Sequence, residues 1–319
     1  MNKNNLFRHI YFQNQSSIIR EVDTNIEDKC NFISSRGILK SCDIKSIYPI
    51  SSCKNLNGYD FSNIVENSIV YICSDAINEF IKKIDEIKCK FILVTGDSDL
   101  SMPYENDNFI ENEKIIHWFS QNCIGIDIGS CTHPKLSLIP IGLDYHTLSR
   151  SNHEWGEKMN AIEQEKILIN IKEAAKSWKD RIIKGYSNFH FHLTGTFCDD
   201  RRDAINNIFK DVIYYEPKKI KREHSWKNQS KYAFVISPHG NGLDCHRTWE
   251  ALCLGCIVIV KTSKIDSLYD ELPVLIVNDW KEISLELLNK TVNDFSEKKF
   301  NYEKLTLKYW MNLIRSKIN

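Results

Sequence analysis

Short apolar runs of strand length alternate with helical segments twice along the chain, and a polar helical stretch separates the two blocks. In the first block, runs at 68–73, 90–95, 124–128 and 136–141 read as strands, and 75–87 and 111–120 as helices. The periodicity is plain in 75–87, where Ile77, Phe80, Ile81 and Ile84 fall at spacings of three and four. The second block repeats the rhythm. Strands are expected at 189–193, 212–215, 233–237, 257–261 and 274–277, and helices at 200–209, 224–231 and 244–254, with a helical turn at 265–271. Between the blocks, 150–180 carries scattered apolar anchors, among them Trp155, Ile167 and Trp178, and reads as the connection. The tail from 280 to 318 reads as two or three helices, and 10–12 and 47–50 as short strands. Strands alternating with helices imply crossover units on parallel sheets. Two α/β halves leave a cleft, where ligands sit at the carboxyl ends of strands.

Charge narrows the function classes. Forty-two basic residues balance forty-two acidic ones, so the global basic excess of a phosphate-neutralising nucleic-acid binder is absent. The longest apolar run, 251–260 with Gly255 inside it, is about half the ~20 residues a membrane-spanning helix needs. The N-terminus lacks the apolar core of a secretory signal. A soluble, cytoplasmic protein without a transmembrane segment is the expectation. The eleven cysteines, several within apolar runs, then read as free thiols, with Cys253 and Cys256 packing a helix end.

Chemistry concentrates in 234–280. A buried strand ends at Ser237 and the loop Pro238-His-Gly-Asn-Gly-Leu-Asp follows. Its glycines, Gly240 and Gly242, permit close backbone approach and positive φ. Asp244, a favoured N-cap type, is expected to open the next helix. Strand, glycine loop and helix N-terminus together suit an anion. His246 and Glu250 lie four apart on one helical face, with Arg247 on an adjoining one. A carboxylate can accept from two ribose hydroxyls and an arginine can take a diphosphate. An ordinary core helix with an internal ion pair is the alternative.

The stretch from His246 to Val260, HRTWEALCLGCIVIV, resembles the donor-site signature of exostosin-like glycosyltransferases in Arg247, Glu250, Ala251, Leu252, Gly255 and Cys256. The later LPVLIVNDW, ending at Trp280, is also similar to that family, which often has proline where this chain has Val258. The resemblance covers about 50 residues well. It implies an α/β fold of GT-B type, two Rossmann-like domains facing a cleft. It implies an N-terminal acceptor domain at 1–150, a nucleotide-sugar donor domain at 151–300, and a C-terminal helix at 301–319 crossing back to the first domain. His239, Gly240, Gly242, His246, Arg247 and Glu250 then become donor-binding residues, Glu250 on the ribose. Arg201 and Arg202, opening a helix after a strand, join them on the diphosphate; a solvated helix start is the other reading.

A base is required on the acceptor side of an inverting transfer. Asp97, Asp99, Asp144 and His146 follow strands and are the candidates. Asp97-Ser98-Asp99 is also a literal D-x-D, the pattern that holds a divalent metal in the other large glycosyltransferase class. His190 and His192 share a strand face and read as packing. Residues 218–222, KKIKR, read as a solvated loop, or one touching an anionic acceptor. The expected activity is transfer of a sugar from a nucleotide-sugar to a hydroxyl of a glycan or protein acceptor, inverting, without metal or other cofactor. The alternatives are an inactive binding or structural protein on the same scaffold, and a metal-dependent transferase using Asp97 and Asp99.

Overall fold

The structure is a computed structural model that describes residues 26–102, 108–125, 133–191 and 194–318. The strand expected at 10–12, the end of the one expected at 124–128, and His192 lie outside the described residues.

The first half holds α1 (Ser35–Ser41), β1 (Ser68–Cys73), α2 (Ile77–Ile81), β2 (Phe91–Gly96), β3 (Ile115–Ser120) and β4 (Leu136–Leu138). All four strands are parallel and lie in sequence order. After α3 (His146–Arg150) and α4 (Ala161–Glu173), the second half adds β5 (Ile182–Ser187), α5 (Asp200–Asn207), β6 (Ile213–Tyr215), α6 (Arg222–Gln229), β7 (Tyr232–Ile236), α7 (His246–Cys253), β8 (Ile257–Lys261) and β9 (Val274–Val277). Its sheet is parallel in the order β6-β5-β7-β8-β9. The chain closes with α8 (Leu285–Ser296) and α9 (Leu307–Arg315). This is the two-sheet α/β architecture the alternating pattern implies.

The two strand orders differ in one consequence. The first sheet never reverses. The second runs outward in both directions from β5, and such a switch point opens a crevice beyond the strand ends, between β5 and β7.

One apolar cluster joins the halves. Ile33, Tyr71, Phe119 and Tyr145 pack in the same core as Val235, Trp249 and Leu252, and Trp310 and Ile314 of α9 complete it. Each fully buried side chain of this kind contributes about 1.5–3 kcal/mol. The tail pairs directly with the first half. The Ile33 amide donates to the Leu305 carbonyl and the Leu307 amide to the Asn31 carbonyl, both at 2.9 Å. An interface this apolar opposes free rotation of the halves.

Several expected elements differ. The helix at 111–120 is instead the strand β3. Ile115, Trp118 and Phe119 are buried, and the strand lies between β2 and β4 with apolar layers on both faces, so the helix-like spacing was incidental. The strand at 189–193 lies earlier, as β5. Gly185 makes that register possible, because a Cβ there would lie 2.5 Å from Ile236 Cδ1. Residues 47–50 form a loop. Cys245, not Asp244, is the N-cap of α7, and it makes no side-chain cap bond. Gly240 and Gly242 do not use positive φ. The described cysteines are free thiols, Cys253 and Cys256 both buried. No described helix is long and apolar enough to cross a membrane.

Candidate functional site

The chain leaves β5 at Ser187, and Asn188 and the fully buried Phe189 follow it at the switch point. Two guanidinium groups converge on the Phe189 ring. Arg201, in the first turn of α5, lies 6.0 Å from the ring centroid, and Arg247, in the first turn of α7, lies 5.5 Å from it. Arg201 is buried and held by backbone: it donates to the His190 carbonyl at 2.7 Å and the His239 carbonyl at 3.3 Å. Arg247 is half-buried, its Nε donates to Asn188 Oδ1 at 3.3 Å, and its Nη1 has no partner. Among the described residues, neither arginine is ion-paired with a carboxylate. Burial, and then the neighbouring Arg201 charge, pull the Arg247 pKa down to about 10. The two like charges lack a counterion; Arg247 lines a cavity, whereas Arg201 is packed behind it. Arg202, one residue on, is exposed and outside it.

Asn188 and Arg247 line a cavity of about 180 Å³ to which both halves contribute. Glu250 is on its wall, one turn along α7 from His246. The Glu250 carboxylate accepts from Trp226 Nε1 at 3.0 Å. Arg222 fills the far end. Its Nη2 meets Asp144 Oδ2 at 2.9 Å, its Nη1 donates to Gln164 Oε1 at 3.1 Å, and its Nε stands 3.9 Å from Glu250. The guanidinium lies 5.2 Å from the Trp155 ring and 5.8 Å from the Trp226 ring. Burial pushes the Asp144 carboxyl up, but His146, Arg222 and His246 outweigh it and hold the group well below the usual carboxylate range.

The glycine loop works by close approach. A Cβ on Gly240 would lie 2.9 Å from Arg201 Nη2, and one on Gly242 2.8 Å from Asn122 Nδ2. The loop is thereby keyed to the first half. The Asp244 amide donates to Asn122 Oδ1, and Asp244 Oδ2 accepts from the Ile141 amide, both at 2.8 Å. Burial raises the Asp244 pKa to about 6. His239 faces the other way. Its Nδ1 donates to the Leu243 carbonyl at 2.8 Å, its Nε2 is buried without a partner, and its ring borders a second cavity of about 750 Å³. Phe197, Asp199, Leu243 and Lys261 also line that cavity.

The four residues expected to supply a base part company. Asp97 is buried, with its carboxylate 2.9 Å from Arg36 Nη2 and accepting from Ser51 Oγ at 2.8 Å. Asp99 is exposed and borders neither cavity. The D-x-D carboxylates therefore do not share one environment, and no group of three metal-ligating side chains occurs among the described residues. Asp144 does face the smaller cavity, but as the partner of Arg222. His146 lies behind it, with Nδ1 3.1 Å from Asp144 Oδ1, and burial lowers its pKa to about 4.

Sequence reasoning missed Asn188, Phe189, Trp155 and Trp226, and placed Arg222 in solvent. Arg222 is in fact buried. The signal available was the pairing of a basic run with the start of a helix at 224, since a side chain in a first turn points toward the strand ends.

No family model and no curated protein matches the chain. A solved structure described as a crystal structure of an alpha1,3-fucosyltransferase is similar over 83% of this chain and 93% of its own, at a TM-score of 0.37 and 10% identity.

Proposed function

We propose that the chain is a glycosyltransferase that moves a sugar from a nucleotide-sugar to an acceptor hydroxyl, inverting and without a metal. The observation that carries this reading is the pair Arg201 and Arg247 on Phe189, two guanidinium groups with no carboxylate partner at the switch point of a parallel sheet. A diphosphate supplies the missing counter-charge, and the same groups stabilise it as it departs. Glu250 stands one turn deeper in the cavity, where it accepts from the ribose hydroxyls. In this reading the first half presents the acceptor, a glycan or protein, and the donor site follows the exostosin-like pattern.

The smaller cavity, about 180 Å³, falls short of the ~300–1,000 Å³ of ordinary ligand pockets. The loop carrying Glu154 and Trp155 lines it, held by the Arg222 amide, which donates to the Trp155 carbonyl at 2.6 Å, and by the exposed pair Lys219–Glu154 at 2.9 Å.

Calorimetry with UDP, GDP and their sugars, followed by transfer and donor-hydrolysis assays with and without EDTA, tests the proposal. The expected result is binding and turnover that survive chelation. Binding without turnover supports the inactive-scaffold alternative, and turnover restored only by manganese or magnesium removes the metal-independent mechanism. The ribose role is tested with 2′,3′-dideoxy nucleotides: Glu250→Ala should abolish the preference for the ribose form, about 1–3 kcal/mol. A preference that persists in the variant refutes it.

A further inference from the structure

We propose that His246 is the general base of the transfer, an assignment that rests on the glycosyltransferase reading above. Each residue first expected in that role is engaged elsewhere. Asp97 is paired with Arg36, Asp144 with Arg222, and the half-buried His146 stands 3.1 Å from Asp144 and lines neither cavity, nor does Asp99.

His246 differs in three respects. Its Nδ1 lies 2.7 Å from the Gly142 carbonyl. A carbonyl oxygen only accepts, so Nδ1 carries the hydrogen, and in the neutral imidazole Nε2 carries the lone pair. No described side chain or backbone group is bonded to Nε2, and the residue lines the smaller cavity. Last, it stands beside Arg247 in the first turn of α7, one turn from Glu250. A base there lies next to the groups assigned to the diphosphate and ribose. Gly142 makes the orientation possible. Its φ is +64°, and a Cβ would lie 2.4 Å from the Ile33 carbonyl oxygen. A proton acceptor oriented by a second, fixed group is the recurring arrangement of catalytic imidazoles. His239 has the same tautomer, but its Nε2 is sealed in the protein.

In the step, the acceptor oxygen forms a bond to the anomeric carbon. The bond from that carbon to the diphosphate oxygen breaks, and its electron pair leaves on the diphosphate, against Arg201 and Arg247. The acceptor proton passes to His246 Nε2 and then to water. The groups that face the ring are Asp144, Asp244 and His146, whose ring centroid lies 5.9 Å away.

The test compares the full chain with His246→Asn, whose amide can still donate to the Gly142 carbonyl but cannot take a proton. The expected result is a kcat lower by about 10²–10⁴-fold, affinity for UDP or GDP within about threefold, loss of the acidic limb of the pH–rate profile, and partial rescue by added imidazole. Should the asparagine variant misfold by circular dichroism, His246→Gln carries the same readouts. A folded variant with near-native kcat, or with the acidic limb intact, overturns the assignment while leaving the glycosyltransferase reading in place. A wild-type chain that neither binds nucleotides nor turns them over overturns both.

Discussion

Arg222 Nη2 and Asp144 Oδ2 meet at 2.9 Å, joining the start of α6 to the loop that follows the first sheet. Both side chains are less than a tenth exposed. Buried pairs of this kind offset most of their own desolvation, but the loss of one partner strands a charge. Arg222→Met should therefore cost about 3–5 kcal/mol in urea unfolding. The double variant with Asp144→Leu should recover much of that loss. A single-variant cost below about 1 kcal/mol would show that His146 and the Thr147 amide already satisfy Asp144.

Arg247 should behave in the opposite sense. It sits beside the Arg201 charge with an unpartnered Nη1, so in the free protein its charge is poorly compensated. Arg247→Ala should leave stability unchanged or slightly higher, and should weaken nucleoside diphosphate binding by about 1.5–3 kcal/mol. Thermal melts with and without nucleotide separate the two effects. A variant that loses stability but binds normally would assign Arg247 to the fold.

Histidine and aspartate give the acid response opposite slopes. His146 falls from 6.5 to about 4, because burial disfavours its charged form. The unfolded chain then binds more protons between those values, and stability rises with pH across that window. His117, also held near 4 by burial, adds to the rise. Asp244 is raised from 3.8 to about 6 by burial, so the native state binds more protons there and its contribution is lost as pH rises through 6. Asp244→Asn should remove the falling component and steepen the net rise from pH 4 to 6. Urea midpoints at pH 4.5 and 7 measure it. Parallel behaviour of variant and wild type would refute this account of Asp244.

Trp310 carries the docking of the tail. It is 4% exposed, and its indole donates to the Lys304 carbonyl at 2.7 Å. Trp310→Ala should cost about 3–5 kcal/mol. The loss should appear in probes of both halves at once, because the core they share includes this ring. Unfolding of only one half in the variant would show that the cluster is not a cooperative unit.

The alternation of apolar runs and helical segments was enough to specify two parallel α/β halves, since strand burial and helix periodicity are local properties of the chain. The stretch 234–280 was legible for the same reason. Its glycine loop, Arg247 and Glu250 lie within one strand, one loop and one helix, where spacing alone places them. β3 was not legible, because Ile115, Ile116 and Phe119 fit a helical spacing, and only burial between two neighbouring strands selects the extended form. The pairs that define the site are equally non-local. Arg201 meets Arg247 across Phe189, Arg222 meets Asp144, and His246 meets Gly142. Their members are 46 or more positions apart in the sequence, and no periodicity links them. They meet because the strand order reverses at β5 and because one apolar core presses the two halves together.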